Sequence, residues 1–341
     1  MAVNGFVPSE FRSSWWLPGP HLQTLGARAL RSARGVPFAR VRVDLPDGDF
    51  VDLDFPFGLD ETAASGEPLV LVLHGLEGSA RSTYAIETYR RLARDGVRAV
   101  GLNFRSCSGE LNRLPRLYHS GDTQDLSFIV NWLKDRLPER PFGIIGFSLG
   151  GNVLLKYLGE RGPPASDDIE AAVAISVPFD LSKGATHLER PGGRIYARYL
   201  LRKLIRKVIA KREMLVQRID YDRAVGASTF RIFDDAATAK LHGFDGAEDY
   251  YRRSSSASFL REIAVTTLLI HSLDDPFLPP ESVPRSAVAE NPNLAASFTI
   301  RGGHVGFVSG GAPWRPAFWA ESEAARFVSK ILHSKSGHTI R

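Results

Sequence analysis

The stretch from Pro141 to Leu158 constrains the fold more than any other part of the chain. Phe142-Gly143-Ile144-Ile145 reads as a short buried strand. Gly146-Phe147-Ser148-Leu149-Gly150 is a G-x-S-x-G turn, and Gly151 to Leu158 has helical periodicity. A strand that becomes a helix within so few residues leaves no room for a side chain at either flanking glycine. The serine between them is forced into a strained conformation, its hydroxyl presented at the C-terminal edge of a sheet. The five-residue pattern alone is weak evidence, since roughly 0.2 matches arise by chance at this Gly and Ser content. Its weight depends on what else the chain supplies.

A serine hydroxyl attacks carbonyls only when a base takes its proton and a third group orients that base. Downstream, Ala264 to His271 reads as a buried strand that runs into Ser272-Leu273-Asp274-Asp275-Pro276-Phe277. A further strand-like run, Ala296 to Arg301, leads into Gly302-Gly303-His304-Val305-Gly306-Phe307. Ser148, Asp275 and His304 stand in the order nucleophile, acid, base that a strand–turn–helix serine requires. Each follows a strand, so all three can meet at one edge of a parallel sheet. Of the adjacent aspartates, Asp275 is the expected acid because its Asp275-Pro276-x-x-Pro279 spacing resembles the acid loop of similar hydrolases, and Pro276 stiffens the turn. Upstream, Pro68 to Leu73 reads as a strand entering His74-Gly75-Leu76-Glu77-Gly78. Such a turn supplies half of an oxyanion hole, with the amides of Leu76 and Leu149 as the expected donors.

These segments resemble a known family. Pro20-His21-Leu22-Gln23-Thr24-Leu25, His74 to Gly78, Asn103 to Glu110, Tyr118 to Thr123, the serine turn, Asp274 to Phe277 and Gly302 to Phe307 are similar to the YheT-like hydrolases. That group is the type-4 family of the α/β-hydrolase superfamily. The resemblance spans about residues 18 to 307 and implies an α/β-hydrolase fold with its triad on Ser148, Asp275 and His304. Ser106 departs from the glycine of the family pattern, at a position with no catalytic duty.

The remaining pattern agrees with an α/β class. Ala39 to Leu45 and Phe50 to Phe55 alternate around Pro46-Asp47-Gly48, an antiparallel hairpin. Strands are expected near 68–73, 97–103, 142–147, 170–177, 264–271 and 296–301. Helices are expected near 81–95, 122–136, 149–160 and 316–333. The alternation implies a mostly parallel central sheet with helices on both faces. More than 80 residues separate the strands at 170–177 and 264–271, too many for a simple crossover. The expected division is therefore an N-terminal extension at 1–35, a core at 36–178 and 263–334, and a helical cap at 179–262. A polar, frayed tail is expected from Ser334 on.

Within that cap, Tyr199 to Arg212 places Leu200, Leu201, Leu204, Ile205, Val208 and Ile209 on one helical stripe. Its other face is basic, and the segment from Arg194 to Arg212 carries Arg194, Arg198, Arg202, Lys203, Arg206, Lys207, Lys211 and Arg212 with no acid among them. Like charges at this density repel and weaken a helix unless they are offset. The candidates for the offset are Asp234, Asp235 and Glu248 in the same cap, or an anionic membrane touched from outside.

Several classes are excluded. The single cysteine, Cys107, permits no internal disulfide and suits a reducing compartment, so the expected location is the cytoplasm. Met1 to Pro8 lacks the basic start and apolar run of a secretory signal, and no stretch reaches transmembrane length. Metal-ligand spacings, P-loops and dinucleotide fingerprints are absent, so no metal, cofactor or nucleic-acid partner is expected. Cys107 has no assignable base and reads as a small buried hydrophobe. His74 reads as a hydrogen-bonding residue that shapes its loop; His119 and His271 read as structural. The expected activity is carboxylic ester hydrolysis through an acyl-enzyme, on a small-molecule or lipid ester. Thioesterase, amidase or acyltransferase chemistry would use the same triad, and a non-catalytic lipid-binding module is the rival outside enzymology.

Overall fold

The computed structural model describes Val3 and residues 5–58, 66–138 and 140–335. Its main sheet has eight strands: β1 (Phe38–Asp44), β2 (Phe50–Pro56), β3 (Leu69–Leu73), β4 (Arg98–Asn103), β5 (Phe142–Phe147), β6 (Ala171–Ile175), β7 (Thr266–Ser272) and β8 (Leu294–Thr299). Their spatial order is β1-β2-β4-β3-β5-β6-β7-β8. The β1–β2 hairpin is antiparallel and β2 joins β4 antiparallel; every other pairing is parallel. β5 thus sits near the middle of the sheet, where its carboxyl end faces a crevice rather than an edge.

Side chains that alternate along each strand feed two separate cores. Leu69, Leu71 and Leu73 of β3 point to one face and Val70 and Val72 to the other. Ile144 and Ile145 of β5 divide the same way. The first face is covered by α3 (Gln124–Arg136) and α4 (Leu149–Arg161), through Leu126, Ile129, Val130, Val153 and Leu154. The second is covered by α2 (Thr83–Arg94) and the C-terminal helix Trp319–Lys335, through Tyr89, Leu92, Phe327, Val328 and Leu332. Burial on both faces explains why the parallel strands read as continuous apolar runs. Ser334 and Lys335 close the C-terminal helix, and the rest of the expected tail lies outside the described residues.

Between β6 and β7 the alternation stops. The chain forms α5 (Leu181–Leu188), the long α6 (Pro191–Ala210), and short helical segments from Arg212 to Glu262. One of these, Asp234–Thr238, is a π-helical turn. Before the sheet, α1 (Pro20–Leu30) is a separate amphipathic helix.

The basic face of α6 is not uniformly solvated. Lys203, Lys207 and Lys211, one turn apart, reach into the core. Lys203 Nζ donates to the Glu77 carbonyl at 3.1 Å, and Lys207 Nζ pairs with Glu77 Oε1 at 2.6 Å. Lys211 Nζ donates to Asn112 Oδ1 at 2.7 Å and to the carbonyls of Leu114 and Arg116. Arg194, Arg198, Arg202 and Arg206 remain exposed. The acids expected to offset this charge are engaged elsewhere: Asp235 with Arg223, Glu248 with Arg231, and Asp234 with Thr238 and Tyr251. The lysines are offset instead by a carboxylate and carbonyls of the core loops, to which they tether the helix. The apolar stripe also differs at its end, where Ile209 is half exposed.

Candidate active site

Ser148 follows β5 directly and caps α4, with φ 51° and ψ −117°. A non-glycine residue in this region stores about 1–3 kcal/mol of strain and persists only where its surroundings enforce it. Two glycines do so. A Cβ on Gly146 would lie 2.6 Å from the Gly150 carbonyl oxygen, and one on Gly150 would lie 2.6 Å from the His74 carbonyl oxygen. The Ser148 amide donates to the Ile175 carbonyl at 2.8 Å, which ties the turn to β6.

The three residues singled out from their order in the chain meet at this edge. Ser148 Oγ lies 2.9 Å from His304 Nε2, and His304 Nδ1 lies 2.8 Å from Asp275 Oδ2. An ionised carboxylate accepts only, so the imidazole proton belongs on Nδ1, and Nε2 is left to accept from the serine. The Asp275 side chain is fully buried and its other oxygen accepts from the Phe277 amide at 2.8 Å. Asp274 points away, onto the Ser272 hydroxyl, and burial raises its pKa. The imidazole is packed face to face against Phe277, ring centroids 4.0 Å apart and planes within 5°. Tyr196 of α6 tilts onto the same phenyl ring at 4.6 Å.

Above the serine, the His74–Gly78 turn is held by His74, as expected, and by two tyrosines that sequence reasoning did not single out. Burial depresses the His74 pKa to about 3, so the ring is neutral. Its Nδ1–H donates to the Gly75 carbonyl at 2.7 Å while Nε2 accepts from the Phe104 amide at 3.2 Å. The Gly78 amide also donates to that carbonyl, at 3.0 Å. A trans peptide places C=O and N–H on opposite sides. Fixing the Gly75 carbonyl therefore fixes the Leu76 N–H in the opposite direction. The neighbouring amides are engaged: Gly75 N–H donates to the Tyr84 hydroxyl at 2.9 Å and Glu77 N–H to the Tyr118 hydroxyl at 2.7 Å. Leu149 is the first residue of α4, where an amide has no acceptor within the helix. Leu76 and Leu149 both line the cavity with Ser148 and His304. Tyr118 lay within a family-like segment, which was the only signal for it. Tyr84 carried none.

The cavity holds about 1220 Å³ and is bounded by the strand ends below and by α1, α5 and α6 above. Leu181, Leu188, Leu200, Leu204, Phe230 and Phe233 give it an apolar wall. Cys107 also lines it, with burial pushing the thiol up to about 11. His271 is fully buried, at about 4, and His119 is held well below its usual value by burial. Neither contacts the serine. Among the described residues no cluster of His, Cys, Asp or Glu is placed to hold a metal ion. No helix there is long and apolar enough to cross a membrane.

Comparison with known proteins agrees with this architecture. Residues 68–310 match the family model of the alpha/beta hydrolase fold. The chain is 38% identical over 319 residues to "Putative esterase YheT" of Escherichia coli (strain K12), covering 93% of this chain and 92% of that one. It is 31% identical over 339 residues to Phospholipase ABHD3 of Bos taurus, covering 98% and 81%. Monoacylglycerol lipase of Saccharomyces cerevisiae is 31% identical over 277 residues, 79% of this chain and 60% of that one. Among solved structures, the Pyrococcus furiosus esterase Pf2001 shares the fold, with a TM-score of 0.52 at 20% identity over 79% of this chain and 85% of that one. With esterase- and lipase-type relatives aligned over most of its length and this sheet beneath its serine, the chain belongs to the α/β-hydrolase family, in the group that includes YheT and ABHD3.

Proposed function

We propose that the protein is a serine hydrolase of carboxylic esters that works through an acyl-enzyme. The observation that carries this reading is the continuous hydrogen-bonded line Ser148–His304–Asp275 at the floor of an apolar cavity. His304 Nε2 takes the proton as Ser148 Oγ attacks the ester carbonyl. The carbonyl oxygen becomes an anion beside the Leu76 and Leu149 amides, where preorganised donors each lower the barrier by about 3 kcal/mol. Asp275 holds the imidazole in the required tautomer and stabilises its charged form. As the tetrahedral intermediate collapses, His304 returns its proton to the departing alcohol. Water then enters, gives a proton to His304 and attacks the acyl-serine; collapse releases the acid and restores Ser148. These steps need no cofactor.

In this reading residues 179–262 are a cap over the core at 36–178 and 263–334, and the extension at 1–35 closes one side of the cavity. The cavity exceeds the usual range for small-ligand sites, about 300–1,000 Å³. Its leucine and phenylalanine wall suits an acyl chain, and the names of the relatives point the same way. Activity against p-nitrophenyl esters is therefore expected to rise with chain length. Each added methylene that reaches the wall contributes up to about 0.8 kcal/mol, roughly fourfold in kcat/KM. A profile that is flat or falls from acetate to octanoate would remove the acyl-chain assignment. Turnover of matched thioesters or amides with no ester turnover would favour the rival chemistries.

A second reading concerns how substrate arrives. Ile195 is 77% exposed and Tyr199 40% exposed on the cavity-lining side of α6, interleaved with Arg194, Arg198, Arg202 and Arg206. We propose that this rim meets an anionic lipid surface, where each arginine contributes about 1 kcal/mol that salt screens. Co-sedimentation with anionic vesicles at low salt is expected. It should weaken at high salt, with neutral vesicles, and when the four arginines are replaced by glutamine. Equal partitioning to both vesicle types, or to neither, would leave the arginines as a solvated surface.

A further inference from the structure

Helix α1 contributes little to either core. Of its residues only Gln23 and Ala27 are buried, and Leu22 and Leu25 are about half exposed. An isolated 11-residue helix is marginal in water. His21 and Arg28 bond to the Tyr196 and Tyr199 hydroxyls of α6, and Gln23 also bonds to Ser13 and Leu17, but most of its grip is on one loop, Gly303 to Val308, which carries His304.

The grip is made at several points. The His304 amide donates to Thr24 Oγ1 at 2.9 Å. That hydroxyl commits its own hydrogen to the Pro20 carbonyl at 2.7 Å, so its oxygen is left to accept. Next to Thr24, the buried Gln23 side chain brackets Val308: Oε1 accepts from its amide at 2.7 Å, and Nε2 donates to its carbonyl at 3.1 Å. At the end of the helix, Arg31 Nη2 donates to the Val305 carbonyl at 2.6 Å and pairs with the buried Glu321. Val305 is a β-branched residue at φ 52°, a strained position that needs such restraint. The glycines of the loop are explained by the same contact. A Cβ on Gly303 would sit 2.6 Å from the Pro20 carbonyl oxygen and Thr24 Oγ1, and one on Gly306 would sit 2.6 Å from the Gln23 backbone.

We infer that α1 is a positioning element for the base: Thr24 and Gln23, with Arg31, fix the backbone of the His304 loop and so the reach of the imidazole to Ser148. This inference rests on the proposed triad. Thr24 and Gln23 touch no reacting atom and act through His304. A misplacement of about 1 Å in a reacting group can cost about a hundredfold in rate.

Thr24→Val tests the idea because it keeps the shape and removes the acceptor. The expected result is a fall in kcat on the order of 10- to 100-fold, with KM little changed. A fluorophosphonate should modify Ser148 more slowly by a similar factor but reach the same final stoichiometry. Thr24→Ser, which keeps the hydroxyl, should restore both rates. The final stoichiometry counts folded sites, so it separates slow chemistry from lost protein. Thr24→Ala provides the same comparison without the added methyl should the valine variant fold poorly. Unchanged kcat in Thr24→Val and Thr24→Ala, or a loss of activity matched by an equal loss of labelled sites, overturns the role of α1. Retention of activity by Ser148→Ala would instead overturn the triad.

Discussion

Replacing Ser148 with alanine is expected to lower kcat for ester hydrolysis by on the order of 10⁴ or more, while the protein stays folded. Ser148 makes no core contact through its hydroxyl beyond His304. Alanine fits the turn as well as serine does, since Gly146 and Gly150, not the side chain, make the turn possible. The two values to compare are kcat and the melting temperature, which should remain close to that of the parent. The residual rate should reflect the oxyanion donors and binding alone, because water must then attack without a covalent intermediate. Covalent labelling by a fluorophosphonate should vanish with the hydroxyl. A variant that keeps a large fraction of its activity would mean another nucleophile does the work.

The second large effect belongs to Asp275. Asparagine in its place keeps the shape but offers an N–H₂ where the imidazole needs an acceptor, which favours the wrong tautomer. A loss on the order of 10⁴ in kcat is expected by analogy with other serine triads. Asp274→Asn is the internal control. Asp274 lies one residue away and bonds to the Ser272 hydroxyl rather than to the imidazole, so its loss should be smaller by orders of magnitude. If Asp274→Asn proves the more damaging change, the acid has been assigned to the wrong carboxylate.

Local periodicity carried much of the fold. β5 and α4 lie within about a residue of their expected spans, because a strand buried on both faces and an amphipathic helix each leave a pattern over a few neighbours. The ends of β6 and β8 shifted more. β6 ends at Ile175 because Ser176 leaves the extended region at φ 52°, and the apolar run of β8 begins at Leu294, before the expected start. Order along the chain also brought Ser148, Asp275 and His304 to attention, since a parallel sheet gathers its carboxyl ends on one side. Contacts with no local signature stayed hidden. Nothing near Phe277 indicates that its ring lies on an imidazole contributed from elsewhere. The lysines of α6 read as one basic face with the arginines, because their division depends on the Glu77 and Asn112 loops, which lie about a hundred residues away. Gln23 and Thr24 stood out only through a family-like segment, which gave them no task.

The clasp between α1 and the His304 loop has a consequence during synthesis. Thr24 and His304 are 280 positions apart. At about 5–20 residues per second, α1 emerges from the ribosome roughly 15 to 60 s before the segment it must grip. Through that interval it is too short to persist as a helix, and Ala27 lacks the Val308 and Phe318 side chains that bury it in the folded protein. The elbow serine, by contrast, has its strand and helix as soon as α4 is made. On the proposed mechanism, a nascent or C-terminally truncated chain holds a nucleophile without its base, and hydrolytic competence is expected only when the first and last quarters of the polypeptide close on each other.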